Sequence, residues 1–285
     1  MRRRELLAAA GSLAAVGGAG CLSRGGGGPA KTDRDRSPTS TGTATPTPTE
    51  PTDTATVGDP TAVLLPEENK PHEVVVRNAA DETREIGVRI TSHGTTRYEN
   101  AWALSAGAFV RFTLVDPAAY TVSVTVHGGT AGEVAVETGL FDCNDTRTTI
   151  DVRPDGTLDP QTVSTQIACR SPIVLDHAFE VTGSACGTGQ QAAVAFGSSS
   201  VTVTGGLRAP TPCHGAELAG ASWDGEGGKL TLTVATTDPD DDACVDCIGE
   251  IDYEATVSFA DAPPETVVVN HRHWDRTDTI TTARR

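Results

Sequence analysis

Strict two-residue alternation constrains this chain more than any other feature. Tyr120, Val122, Val124 and Val126 alternate with Thr121, Ser123, Thr125 and His127. Ile86, Val88 and Ile90 alternate with Gly87 and Arg89, and Val110, Phe112 and Leu114 with Arg111 and Thr113. Further along, Leu230, Leu232 and Val234 alternate with Thr231 and Thr233, and Tyr253, Ala255, Val257 and Phe259 with Glu254, Thr256 and Ser258. A period of two sends successive side chains to opposite faces of a strand, so each run buries one face and wets the other. No segment carries apolar residues at helical spacing over a useful length. The fold class that follows is all-β.

The alternating runs fall into two groups. The first spans about Thr61 to Ser171 and adds candidate strands at Glu73–Asn78, Glu133–Glu137, Arg147–Val152 and Thr162–Ala168. Asp116-Pro117, Gly128-Gly129 and Pro154-Asp155-Gly156 supply turns. The second spans about Phe179 to His271, with Val201 and Val203 and then Val267 and Val269 as further strand cores. Asp224-Gly225-Glu226-Gly227-Gly228 reads as a hairpin turn between Ala216–Trp223 and Lys229–Thr236. Short strands at this spacing predict two tandem β-sandwich domains of immunoglobulin-like or cupredoxin-like type, at residues 60–175 and 176–272. Residues 273–285 are expected to be a frayed tail.

A unit of about ninety residues buries a small core and calls for covalent staples. Beyond Cys21 the chain has Cys143, Cys169, Cys186, Cys213, Cys244 and Cys247. An even number in an exported chain reads as disulfides. Cys143 and Cys169 are the sole pair in the first unit and are expected to bond to each other. The other four belong to the second unit, and their number alone leaves the connectivity open.

Export is read from the N-terminus. Arg2-Arg3-Arg4 precede an apolar run from Leu6 to Val16, then Gly18-Ala19-Gly20-Cys21. The run falls short of the roughly 20 apolar residues that cross a bilayer, and small residues ahead of a cysteine suit signal cleavage. The segment resembles twin-arginine lipoprotein signals, especially those of halophilic archaea, although Gly18 stands where many such signals have Leu. The resemblance implies lipidation of Cys21 and a mature protein anchored on the outer face of the membrane. Residues 22–59 then read as a disordered stalk. Gly25–Gly28 and the Thr/Pro tract around Thr43–Thr49 hold too few apolar side chains to offset the entropy of ordering. Extended, the stalk reaches on the order of 100 Å.

The net charge is −16, and lysine occurs only at Lys31, Lys70 and Lys229. Acidic, Lys-poor surfaces suit high salt, where the Debye length falls to about 3 Å at 1 M. The same charge repels nucleic-acid phosphates, so nucleic acid is not an expected partner.

Ala209-Pro210-Thr211-Pro212-Cys213-His214, Cys244-Val245-Asp246-Cys247-Ile248-Gly249, Tyr253–Val257 and Val267–His271 together look like a β-sandwich module of secreted archaeal and bacterial proteins. That resemblance covers about Val181 to His271 and implies no established activity. It implies that Cys213 pairs with Cys244, leaving Cys186 for Cys247, with Cys213 to Cys247 as the alternative. A competing use of Cys213, His214, Cys244 and Cys247 is tetrahedral metal binding or redox chemistry. Outside the cell, oxidation to disulfides is the expected fate of these thiols.

Other chemistry finds little support. Met1 is the sole methionine and lies in the signal, so a blue-copper axial ligand is lacking. No Gly-x-Ser-x-Gly elbow or His-Glu-x-x-His helix occurs. Asp238–Asp242 offers carboxylates for calcium but reads better as a solvated acidic loop. His271 and His273 read as part of the frayed end, or as an exposed ligand pair. Asn144-Asp145-Thr146 is an N-glycosylation sequon in an expected loop. The sequence therefore predicts no catalytic residues and no cofactor. It describes a lipid-anchored envelope protein, a non-catalytic binding or structural module whose partner is an envelope protein or glycan.

Overall fold

The computed structural model describes residues 48–126, 132–239, 244–274 and 276–285. Cys21, the signal and the stalk through Thr47 lie outside the described residues, as do residues 240–243 of the acidic loop. The described chain is β throughout apart from two single-turn 3-10 segments, at Pro60–Ala62 and Thr138–Leu140.

The first sandwich holds β1 (Asp53–Val57), β2 (His72–Asn78), β3 (Arg84–Ser92), β4 (Thr95–Leu104), β5 (Phe109–Leu114), β6 (Tyr120–Val126), β7 (Gly132–Val136), β8 (Thr146–Val152) and β9 (Leu158–Ser164). One sheet runs β1-β5-β2-β8-β9 and faces a second, β4-β3-β6-β7. The inward positions of the alternating runs meet between them: Ile86, Val88 and Ile90 from β3, Val110, Phe112 and Leu114 from β5, and Tyr120, Val122 and Val124 from β6. The pairs β1–β5 and β2–β8 are parallel, and the others are antiparallel.

The second sandwich holds β10 (Val174–Cys186), β11 (Gln191–Phe196), β12 (Ser200–Ala209), β13 (Gly215–Asp224), β14 (Lys229–Thr237), β15 (Gly249–Phe259), β16 (Thr266–His273) and β17 (Arg276–Arg284). Its sheets run β10-β15-β12-β11 and β13-β14-β16-β17. Val201, Leu207, Leu230, Leu232, Tyr253, Val257, Phe259 and Val267 fill the space between. The expected hairpin is there, with Trp223 opposite Leu230 and Asp224 opposite Lys229.

Several boundaries move. Asp53–Val57, assigned above to the stalk, is a strand in parallel register with β5, Ala55 opposite Phe112 and Val57 opposite Leu114. Two inward apolar residues and a ready sheet edge outweigh a Thr-rich composition that resembles linker. The expected tail at 273–285 is instead β17, paired along β16 from Thr266–Arg284 to His273–Arg276. The strand expected at Thr162–Ala168 runs earlier, at Leu158–Ser164.

The division between sandwiches is also less clean than a cut near residue 175. Leu64 and Leu65 precede the first sandwich's β2 yet are buried in the core of the second. The turn that follows, with Glu68 and Asn69 N–H groups bonded to the Leu65 carbonyl, aims Asn69 at the inter-sandwich linker. Its side-chain nitrogen donates to the Pro172 carbonyl at 3.0 Å, and its oxygen accepts from the Val174 N–H at 2.9 Å. Asn69 is 1% exposed, so this strap joins the two sandwiches through a buried polar clamp.

Candidate functional site

All six cysteines among the described residues are in disulfides. Cys143 pairs with Cys169, Cys186 with Cys247 and Cys213 with Cys244, at S–S distances of 2.00, 1.99 and 2.04 Å. The last two tie the end of β10, the β12–β13 loop and the β14–β15 loop together at one pole of the second sandwich. Close approach there depends on Gly249, where a Cβ would collide with the backbone of Thr211 and Pro212. The alternative ligand set Cys213, His214, Cys244 and Cys247 is thereby corrected: its sulfurs are bonded to other sulfurs and offer no thiolate to a metal. His214 is half-buried rather than freely exposed, its Nδ1 3.0 Å from the Thr211 hydroxyl.

Asn144 is corrected as well. It is 4% exposed. Its side-chain nitrogen donates to Asp142 Oδ2 at 2.9 Å, the Ile167 carbonyl at 3.1 Å and Cys169 Sγ at 3.1 Å. Its oxygen accepts from the Thr165 hydroxyl and the Ile167 N–H. The atom a glycan would modify instead buttresses the Cys143–Cys169 bridge, so the sequon is closed in the folded chain.

The histidines expected at a frayed end lie inside β16. His271 is fully buried and His273 is 7% exposed. Tyr253 Oη lies 2.8 Å from His271 Nε2, and burial, reinforced by His273, lowers the His271 pKa to about 4. Burial raises the Tyr253 hydroxyl far above its ordinary value. The pair is therefore a neutral phenol hydrogen-bonded to a neutral imidazole, whose Nδ1 is buried without a partner among the described residues.

In the first sandwich His72 has the same character through a different network. The Thr146 hydroxyl donates to the Leu140 carbonyl at 2.8 Å, so toward His72 Nδ1, 2.7 Å away, it can only accept. Nδ1 thus carries the proton. Nε2 then accepts from the Thr148 hydroxyl at 3.0 Å, and Thr148 in turn accepts from Thr162 at 2.8 Å. Burial lowers this histidine to about 4 as well. Burial, together with the negative charge of Asp116, lifts Tyr120 to about 12 while its hydroxyl donates to the Asp116 carbonyl. These four groups are core members engaged in internal hydrogen bonds.

Two regions between the sandwiches are open. One is a cleft of about 600 Å³ whose walls include Leu64, His93, Arg97, Asp116, Leu175 and His177. On another side lies a groove of about 350 Å³ beside the Cys143–Cys169 bridge. It continues past Trp223 into a depression of about 400 Å³ between the Gly225–Gly228 turn and Pro263-Pro264. Neither the strap nor these junction regions were singled out from sequence. Their residues are scattered in the chain and share no spacing. Among the described residues no group of three or more His, Cys, Asp or Glu side chains is placed to hold a metal ion.

The outer face of the β10–β15 pair is acidic. Glu180 stands directly opposite Glu254, and Asp252 opposite Gly183; all three acidic residues are exposed. Like charges directly across a ladder repel, and the Debye length sets how far that repulsion reaches. The unfolding midpoint is expected to be lower at 0.1 M than at 2 M salt, with a smaller gap in Glu254→Gln. A Glu254→Gln variant with undiminished salt dependence removes this pair as a cause.

No known protein family, curated protein or solved structure matches this chain.

Proposed function

We propose that this protein is a lipid-anchored module of the cell envelope that binds or scaffolds without catalysing a reaction. In this reading it is exported by the twin-arginine route into a salty exterior and held through Cys21. The two sandwiches, of immunoglobulin-like or cupredoxin-like type, stand off the membrane on the stalk. Three disulfides point to an oxidising, extracellular environment. The observation that carries the non-catalytic part is where the perturbed groups sit. Catalytic acids and bases have shifted pKa values at accessible clefts. Here His72, His271 and Tyr253 are sealed in cores and bonded to other side chains. Open clefts lie instead at the junctions between the two sandwiches, the form that recognition takes at domain interfaces.

Anchoring is tested by Cys21→Ser. The variant is expected to leave the membrane fraction and appear in the medium, folded and disulfide-bonded. Membrane association unchanged from the parent protein overturns the anchor.

A further inference from the structure

The groove beside Trp223 carries polar groups that the fold leaves unused. Trp223 is half-buried against the second core, and its indole N–H donates to no group among the described residues. The Ser171 hydroxyl is buried at the groove without a hydrogen-bond partner. Buried unpartnered hydroxyls are uncommon and call for an explanation such as a bound ligand. Arg170 and Asp261 are exposed at the rim, and neither has an ion pair among the described residues. The other lining carboxylate, Asp142, already accepts from the Asn144 N–H through one oxygen and from its side-chain amide through the other. The walls are stiff: Cys169 is bridged to Cys143, and Pro172 and Val174 are clamped by Asn69.

We infer that this groove is a binding site for a neutral saccharide. The assignment follows from what each alternative leaves unsatisfied. An anionic ligand would suit Arg170 but face Asp142, Asp261 and a protein of net charge −16. A cationic ligand would suit Asp261, and Glu226 and Glu265 of the adjoining depression, but would bring a like charge against Arg170, which lines both. A sugar hydroxyl both donates and accepts, so one ring can give a hydrogen to Asp261 while accepting from Arg170, from the indole N–H and, once its solvent-shielded hydroxyl turns toward the groove, from Ser171. The apolar C–H face of a pyranose matches an indole ring, an apolar body with a polar edge. The size agrees, because small-molecule sites occupy roughly 300–1,000 Å³. Trp223 sits between the two depressions, so the site accepts more than one sugar ring. This inference rests on the reading of the chain as a binding module and supplies its ligand class.

The test titrates the full mature chain with cellohexaose and chitohexaose, by calorimetry and by tryptophan fluorescence. A proline-rich peptide and oligogalacturonate serve as competitors of other chemistry. Saturable binding of a neutral hexamer is expected, with its affinity reduced about tenfold or more by Trp223→Ala and severalfold by Arg170→Gln. Trp223 also packs on the core, so Ser171→Ala and Arg170→Gln keep the result readable should Trp223→Ala lose its fold. Trp274→Ala, on an exposed turn of the same sandwich, is expected to leave binding unchanged. Absence of binding to both neutral hexamers at millimolar concentration overturns the assignment. So does binding that Arg170→Gln and Ser171→Ala leave intact, or binding of the peptide or the oligogalacturonate alone. None of these results touches the anchor, which stands or falls on Cys21→Ser.

Discussion

Acidification from pH 7 to pH 4 is expected to destabilise both sandwiches, by about 3 kcal/mol each. The cause is a pair of histidines, one in each core, that the fold holds neutral. In the unfolded chain an imidazole titrates near 6.5, whereas in the folded protein His72 and His271 titrate near 4. Between those values the unfolded state binds the extra proton, so stability falls as the pH falls from about 6.5 to about 4. It is fully present above that window, and these two groups add no further loss below it. For His72 the geometry explains why the proton is excluded. Nε2 accepts from Thr148, so a second imidazole proton requires the Thr148–Thr162 hydrogen bond to reverse while the new charge is held out of water. For His271, Tyr253 is the partner of Nε2 and Nδ1 has none among the described residues, so an imidazolium would carry a buried, unpaired N–H. The residues sit in different cores, so their contributions should add. A combined loss of about 6 kcal/mol is a large share of the roughly 5–15 kcal/mol that stabilises a folded domain. Denaturant unfolding between pH 7.5 and 4 measures the slope directly. His72→Gln and His271→Gln should each flatten it, and the double variant should flatten it most. A double variant with the parent's slope would place the acid sensitivity elsewhere.

The central strands were legible in the sequence because one face of each is buried along its length. β3, β5, β6, β14 and β15 have neighbours on both sides within their sheets, and their alternation is correspondingly clean. Edge strands write a weaker signal. β4 turns only Tyr98, Trp102 and Leu104 inward and exposes most of the rest, so its ten residues resemble a polar loop. β1 and β17 are edges too, and their sequences read as stalk and frayed tail. The hairpin turn at Asp224–Gly228 was legible because its chemistry is local.

The functional features were less legible because they depend on distant pairings. His72 lies just ahead of the strand expected at Glu73–Asn78 and belongs to no motif, yet its hydrogen bonds go to threonines 74 and 76 positions away. The sequon at Asn144 is a local pattern, and only the fold shows that the Asn144 amide is occupied by Asp142, Ile167 and Cys169. The sequence did announce six cysteines available for staples. What it left open was the pairing of the other four, a matter of where the end of β10 and the β12–β13 and β14–β15 loops meet.

The strap leads to the second large effect. Leu65→Ala should weaken the second sandwich, although Leu65 precedes every strand of that sandwich in the chain. Leu65 is 3% exposed and belongs to the core that includes Val174, Val201 and Phe259. Truncating a buried leucine costs about 2–5 kcal/mol, through lost burial and the cavity left behind. For the two sandwiches unfolding together, a unit of roughly 230 residues, that corresponds to a fall in midpoint of roughly 4–20 °C. Asn69→Ala should act at the same junction by another route. It strands the Pro172 carbonyl and the Val174 N–H in a buried place, at roughly 1–3 kcal/mol for each group. Because the strap's backbone leads directly into β2, loss of the first sandwich should withdraw Leu64 and Leu65 from the second. The two sandwiches are then expected to unfold in one transition, not as independent beads. Trp102 reports on the first sandwich and Trp223 on the second, so variants retaining one or the other tryptophan follow each separately. Coincident curves in the parent, both shifted by Leu65→Ala, are the expected result. Two separated transitions in the parent, or a Trp223 signal that Leu65→Ala does not move, would show that the leucines decorate the second core without completing it.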